Sequence, residues 1–176
     1  MTAVASPTIA PALRRLYLVR FGFALIWAVL LFATGSDLGP LSVPLLILYP
    51  LFDVAAAVVD ARSSRAPGLY VNIAVSTLAA IGIAVAATSG IPAVLRVWGA
   101  WAIAAGLVQL ILGIARRRLG GQWPMILSGG ISTLAGTSFV LQAAGDNASL
   151  RSLAGYALLG GIFFLVSALR LGRAAA

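Results

Sequence analysis

Few residues in this chain have side chains suited to catalysis or metal binding. Among its 176 residues there is no Cys, His, Glu or Lys, so every basic residue is Arg and every acidic residue is Asp. The chain therefore lacks thiolate and imidazole ligands for zinc, copper, iron–sulfur or ordinary haem centres, and it lacks a His general base. We expect no metal, no other cofactor and no enzymatic activity.

Three charged residues interrupt the first two apolar segments. Arg20 lies in the first segment, and Asp53 and Asp60 lie seven residues, or about two helical turns, apart in the second. Folding the segments about a turn near Gly39 places Arg20 between the two carboxylates in depth. An ionisable group in lipid costs at least about 2.5 to 3.5 kcal/mol, so it needs a partner. We predict an intramembrane polar cluster of Arg20, Asp53 and Asp60 with an Arg20–Asp53 ion pair; alternatively, Arg20 and Asp60 reach the membrane interface.

Two amide side chains interrupt the third and fourth apolar segments. When these segments fold into a hairpin in the same way, Asn72 and Gln109 lie at matching depth. The sequence therefore predicts an interhelical hydrogen bond between Asn72 and Gln109. Such bonds contribute about 0.6 kcal/mol on average, and we assign this one a structural role.

The elements that position these residues must span a membrane. Apolar residues make up 61% of the chain and charged residues 9%, against about 25% charged residues in soluble domains. The net charge of +8 comes from Arg residues dispersed between apolar runs, which indicates a topology signal rather than a nucleic-acid-binding surface. The composition predicts an integral membrane protein whose partner is the lipid bilayer, with no nucleic-acid partner.

Six apolar runs are each long enough to cross a bilayer as an α-helix. Their continuous apolar character differs from the alternation that β-barrel strands show. The first run follows basic residues, as a signal peptide does, but we expect it to be retained. A flexible tail at residues 1–13 precedes a single domain at residues 14–173. The runs cover about residues 16–34, 41–61, 68–88, 95–115, 123–143 and 152–171.

The distribution of Arg predicts the orientation of the spans. With six spans both termini lie on one side, and that side holds ten Arg against two, Arg96 and Arg151, on the other. Cytoplasmic loops carry the excess of basic residues, so both termini are predicted to be cytoplasmic. Ala-, Gly- and Arg-rich usage without Lys favours a bacterial source and hence the plasma membrane. The ten are Arg14, Arg15, Arg20, Arg62, Arg65, Arg116, Arg117, Arg118, Arg170 and Arg173.

Regular spacings indicate an internal repeat. Tyr17, Tyr70 and Trp123 stand at the starts of the odd-numbered segments, 53 residues apart, and Ser-Thr-Leu-Ala occurs at residues 76–79 and again at 132–135. We predict three repeated helical hairpins related about an axis along the membrane normal. Their predicted bounds are about residues 14–65, 67–118 and 120–173.

Small residues recur at helix-packing spacings. Rows of small residues let transmembrane helices approach closely. We interpret them as packing positions within the chain, and the alternative is a face for a second copy or a membrane-protein partner. The predicted packing residues are Ser76, Ala80, Gly106, Ser128, Ser132, Gly136, Gly160 and Gly161.

A pattern of glycine and aromatic residues runs through the last three segments. It comprises Trp98-Gly99-Ala100-Trp101, Gly106 and Gly113, followed by Trp123, Gly129-Gly130 and Gly136. Over about residues 16–173 the chain resembles the family of small bacterial membrane proteins that contains the acid-resistance protein HdeD. The resemblance implies six spans and a role in acid stress, and it carries over no catalytic residues. The first hairpin departs from the pattern because Asp53 stands where Gly106 and Gly161 fall in the others.

Two classes of function remain open. The first is a non-enzymatic scaffold or stress-response component that acts through helix packing with itself or a partner. The alternative is a small transporter or channel with a polar path near Arg20 and Asp53. Transporters of this size normally need broken helices or several polar pathway residues, and only Pro44 and Pro50 interrupt a span. The sequence therefore favours the scaffold.

Overall fold

The computed structural model describes residues 9–64, 66–146 and 148–174, and over these residues it contains helices and no strand. Six of the helices are long and apolar enough to span a membrane. The predicted all-α integral membrane fold with six transmembrane helices is therefore confirmed. The helices are α1 (Ile9–Thr34), α2 (Ser42–Ser64), α3 (Pro67–Ala86), α4 (Ile91–Ala115), α5 (Trp123–Gln142) and α6 (Arg151–Ala174).

Proline and glycine mark several helix ends. Pro67 is the first residue of α3 and Pro124 lies in the first turn of α5, where the missing N–H has no helical partner to lose. Gly90, before α4, has a φ of 97°, and Gly120 and Gly121, before α5, have φ values of 74° and 63°. Other residues rarely adopt these angles, so glycine allows the connections to stay short.

The first helix is longer than the sequence indicates. α1 begins at Ile9, so residues 9–13 of the predicted tail are helical, and residues 1–8 lie outside the described part of the chain. The extension is stabilised because Leu13 and Tyr17, one turn apart, are buried in a cluster with Met125 and Phe164. Two of the Arg residues counted for the predicted orientation are affected as well: Arg65 and the side chain of Arg173 lie outside the described part of the chain.

The six helices form a closed ring in chain order, in which each helix packs against its neighbours and α6 returns to α1. Contacts are more extensive between hairpins, at α2–α3, α4–α5 and α6–α1, than between the two helices of any one hairpin. This alternation is what three equivalent hairpins would produce. The equivalence of the hairpins itself stays a prediction.

Glycines bring α4 and α5 into backbone contact. A Cβ added to Gly136 would lie 2.5 Å from the Gly99 carbonyl oxygen, and one added to Gly106 would lie 2.8 Å from the Gly129 oxygen and from Ser132 Cβ. Such distances leave no space for a side chain, as in other small-residue interfaces between transmembrane helices. Three predicted packing residues, Gly106, Ser132 and Gly136, therefore lie at an interface within the chain.

The other predicted packing residues lie elsewhere in the bundle. Ser76, Ala80 and Ser128 are buried. A Cβ on Gly161 would meet the Ala24 side chain of α1 at 3.1 Å, whereas a Cβ on Gly160 would have open space around it. Use of any of these residues as a face between copies stays a prediction.

The bundle has two halves that differ in packing. The loop half lies beside the connections at residues 35–41, 87–90 and 143–150, and the terminal half lies beside the start of α1 and the end of α6. An apolar cluster fills the loop half, and its members Trp27, Leu31, Leu46, Leu95 and Trp98 are at most 1% exposed. Because the rings of Trp27 and Trp98 stack with centroids 5.4 Å apart, this half has a closely packed core.

Candidate functional site

The terminal half contains a partly open cavity of about 70 Å³, which we name the terminal cavity. One water needs about 10 to 15 Å³ of such volume and some polar partners, so the cavity has room for several waters. All six helices contribute to its wall, through Tyr17 and Arg20 of α1, Asp53 and Asp60 of α2, Asn72 of α3, Gln109 of α4, Met125 of α5 and Phe164 of α6.

A smaller cavity of about 40 Å³ continues toward the loop half, and we name it the central cavity. Five residues belong to the walls of both cavities and mark the boundary between them: Arg20, Asp53, Ala105, Gln109 and Phe164. The rest of the central wall is aromatic or small: Tyr49, Trp101, Gly106, Ser128, Ser132, Tyr156 and Gly160. The two cavities together run from the terminal half toward the packed core of the loop half.

In the terminal cavity, Asp60 pairs with Arg116, which directly follows α4. Arg116 donates from Nη1 to Oδ2 of Asp60 at 2.7 Å and from Nη2 to Oδ1 at 3.0 Å. This is the bidentate geometry that a guanidinium and a carboxylate favour. The predicted cluster of Arg20, Asp53 and Asp60 stays a prediction: all three residues line the terminal cavity, and Asp60 pairs there with Arg116. Asp60 lies two turns nearer the helix end than Asp53, at the depth where α4 also ends.

About 10 Å farther along α2, Asp53 forms an ion pair with Arg20, whose Nη2 donates to Oδ1. The other carboxylate oxygen, Oδ2, accepts hydrogen bonds from Asn72 Nδ2 at 2.6 Å and from Ser76 Oγ at 2.8 Å. The Asp53 side chain is 7% exposed and the Arg20 side chain 18% exposed. The structure thus brings Arg20 and Asp53 together inside the bundle and surrounds the carboxylate with donors from α1 and α3.

The predicted hydrogen bond between Asn72 and Gln109 is wrong. Asn72 donates to Asp53, and Gln109 donates from Nε2 to the Met125 carbonyl oxygen at 3.2 Å. A carboxylate accepts a stronger hydrogen bond than a neutral amide does, so Asn72 gains more from Asp53. Matching depth alone did not reveal that the Asn72 side chain reaches Asp53 of α2.

Phe164 of α6 lies against Arg20 at the boundary between the two cavities. The Arg20 guanidinium carbon is 4.3 Å from the Phe164 ring centroid, within the range of a cation–π interaction. Tyr17 packs against Phe164, with the two ring centroids 5.6 Å apart. The Tyr17 hydroxyl donates to Gln122 Oε1 at 3.4 Å. Arg20 is therefore held between a carboxylate and an aromatic ring.

Two similar hydrogen bonds join even-numbered helices to the preceding odd-numbered ones. Trp101 donates from Nε1 to Ser76 Oγ at 2.9 Å, and the Tyr156 hydroxyl donates to Ser132 Oγ at 3.0 Å. Both serines begin the recurring Ser-Thr-Leu-Ala sequence. The first bond extends the Asp53 network, because Ser76 also donates to that carboxylate.

Several residues of the site were missed in the sequence. Arg116 begins a run of three Arg, which the sequence analysis used only to predict the orientation of the spans. Phe164 lies among other apolar residues of α6. An acidic residue one turn from a helix end, as Asp60 is, was the available signal for an Arg partner on a neighbouring helix. No comparable signal distinguishes Phe164, because its role depends on the packing of α6 against α1.

No family model, no curated protein and no solved structure matches this chain. The resemblance to the HdeD family therefore stays a prediction.

The arrangement presents charged and amide groups to a small polar solute. Asp60 and Arg116 lie toward the terminal end, Asp53 and Arg20 lie near the middle of their helices, and the four charges sum to zero. Amide groups of Asn72 and Gln109 also line the wall. In the described ranges, no three residues of the types His, Cys, Asp and Glu are grouped so as to hold a metal ion.

Proposed function

We propose that this chain is a non-enzymatic multi-pass membrane protein that admits a small polar solute into its terminal cavity. The observation that carries the proposal is that the Arg20–Asp53 pair forms part of a cavity wall instead of being enclosed by packed side chains. Ionisable residues within a membrane commonly mark solute or proton pathways. A buried ion pair is in itself weak evidence for a stabilising role. This supports the transporter or channel class over the scaffold.

The proposed location is a bacterial plasma membrane with both termini cytoplasmic. The support is the distribution of Arg, ten residues on the terminal side against two on the other. In this orientation the terminal cavity lies in the cytoplasmic half of the bundle. The closely packed loop half then separates both cavities from the outside, as in an inward-facing state of a transporter.

A scaffold or stress-response component is the second candidate. Its support is the resemblance of the glycine and aromatic pattern to the HdeD family, which implies a role in acid stress. The glycines of α4 and α5 are used for packing within the chain. A partner or a second copy would therefore contact a different part of the surface, one that faces the lipid. Candidate surface includes the exposed residues Ile26, Val29 and Leu134.

Cysteine accessibility tests the proposed cavity, and the chain has no native Cys to interfere. Gln109→Cys places a thiol in the cavity wall, and Leu107→Cys places one on the exposed side of the same helix at nearly the same depth. A membrane-impermeant, charged thiol reagent is applied to membrane vesicles of both orientations. We expect the thiol at position 109 to react from the cytoplasmic side, and the thiol at 107, in lipid, to stay unreacted. Lack of reaction at position 109 contradicts the proposal, whereas reaction only from the outside reverses the orientation.

A further inference from the structure

In the Arg20–Asp53 pair, most acceptor positions of Asp53 are already used, whereas most donor groups of Arg20 are not. An ionised carboxylate offers about four lone-pair sites, and Asp53 already accepts from Arg20, Asn72 and Ser76. A cation that reached Asp53 would meet a carboxylate whose charge is compensated and whose oxygens are largely taken. The carboxylate is therefore poorly suited to bind a cationic solute.

Arg20 has spare donors. A guanidinium carries five N–H groups, and a single one of them donates to another described residue, at Asp53. Its guanidinium carbon lies 4.3 Å from the Phe164 ring centroid, and this contact holds the group in place without a hydrogen-bond acceptor atom. Arg20 lines both cavities, so its remaining donors lie where a solute would enter.

The neighbouring amides do not determine the charge of the solute. Gln109 lies in both walls and uses Nε2 to donate to Met125, and an amide can offer either its oxygen or its remaining N–H. The guanidinium can only donate. The charge preference of the site is therefore set by Arg20.

On the basis of the proposed function, we propose further that Arg20 binds an oxyanion group, a carboxylate or a phosphate, of the solute that enters the terminal cavity. Arg matches these groups because its fork of N–H donors contacts two oxygens at once. Asp53 then has a second role as a competing anion that holds Arg20 in place while the site is empty. A free small oxyanion and the phosphate of a lipid headgroup present the same chemistry.

The sign of the Asp53 effect distinguishes an anion site from a cation site. Asp53→Asn keeps an oxygen that can accept from Asn72 and Ser76 but removes the charge that competes for Arg20. We expect oxyanion binding to become about tenfold tighter or more, because removal of a nearby like charge favours the anion. A cation site would lose affinity in the same variant.

Thermal unfolding of the purified protein with increasing ligand measures the apparent affinity. The probes are sodium acetate, sodium phosphate and dihexanoyl phosphatidylglycerol, with sodium chloride at equal ionic strength as the blank. Arg20→Gln combined with Asp53→Asn removes the guanidinium without leaving a lone buried charge, so this double variant tests Arg20 in a folded protein. The control is Arg151→Gln, because Arg151 also lies over a ring, Phe32 at 5.6 Å, but is in neither cavity wall.

We expect a probe to stabilise the wild type beyond chloride, the double variant to lose about tenfold in affinity or more, and Arg151→Gln to match the wild type. If only the phospholipid stabilises the protein, and only when Arg20 is present, the oxyanion that binds is the phosphate of a lipid headgroup. If acetate or phosphate stabilises the protein, the oxyanion is a free solute. Undiminished binding in the double variant, weaker binding in Asp53→Asn, or no binding of any probe overturns the inference. If position 109 is accessible in that case, the proposed function still stands.

Discussion

The loop half and the terminal half of the bundle are built from the same six helices but differ in what lies between them. In the loop half, Trp27, Trp98 and Leu46 pack together in an apolar core. In the terminal half, two Arg–Asp pairs line a cavity. Transmembrane helices associate through close packing and polar contacts, because lipid supplies little hydrophobic drive between them. The loop half depends mainly on close packing, whereas the terminal half combines packed apolar clusters with contacts between charged side chains.

The difference also separates stability from function. The loop half has the close packing that resists deformation. The terminal half keeps charges in a place where they cost free energy unless they are paired. The comparison therefore predicts that substitutions in the two halves will destabilise the protein by different mechanisms.

The largest expected effect is at the Arg20–Asp53 pair. Arg20→Leu and Asp53→Leu each leave one buried charge without its partner, so each should lower the free energy of unfolding by about 3 to 5 kcal/mol. The double Leu variant should recover part of that loss, because no lone charge remains. Thermal unfolding in detergent measures the effect. Additive losses would show that the two residues act independently and would remove the main difference between the halves.

A matched pair of Leu→Ala substitutions tests the packing of the halves. Leu46 is fully buried in the loop-half core, whereas Leu112 lines the terminal cavity. Core truncations of this kind cost roughly 2 to 5 kcal/mol because a new cavity remains. Leu46→Ala should fall in that range, and Leu112→Ala should cost less because it enlarges a space that exists already. Equal losses in chemical or thermal unfolding would contradict this difference in packing.

The contact between α4 and α5 predicts a smaller loss at a single glycine. Gly136→Ala places a Cβ 2.5 Å from the Gly99 carbonyl oxygen, and overpacking of this kind costs about 1 to 3 kcal/mol. Gly130→Ala is the control on the same helix, since a Cβ there meets no atom within 4 Å. The melting temperature should fall for Gly136→Ala and stay unchanged or rise slightly for Gly130→Ala. A stable Gly136→Ala variant would mean that the helices are farther apart.

The smallest expected effects concern the two similar hydrogen bonds. Trp101→Phe removes the donor to Ser76, and Tyr156→Phe removes the donor to Ser132. Each should cost about 0.6 kcal/mol, the average for interhelical hydrogen bonds in a membrane. Trp101→Phe also loses ring area and Ser76→Ala also removes the donor to Asp53, so a double-mutant cycle of these two substitutions isolates the bond. Losses that agree within error for the two bonds would strengthen the prediction of repeated hairpins, and unequal losses would weaken it.

The depth of each polar residue could be predicted from the sequence, but its partner only in part. The rise of an α-helix places Arg20 near Asp53 once the two helices form a hairpin, because adjacent helices run in opposite directions. The same reasoning failed for Asn72 and Gln109, which match in depth but bond elsewhere. Depth along a helix is a local property, whereas the direction in which a side chain points depends on how the helix is rotated against its neighbours.

The sequence by itself determined the all-helical membrane class. A chain with 61% apolar residues enters the bilayer, and there each backbone polar group must find its partner within its own helix. Only the tertiary structure decided that Asp60 pairs with Arg116, 56 residues away, and that Phe164 covers Arg20. These contacts join helices that are distant in the chain, so they depend on the order and rotation of all six helices in the ring. The cavity has the same origin, because it is the space that this packing leaves between the helices.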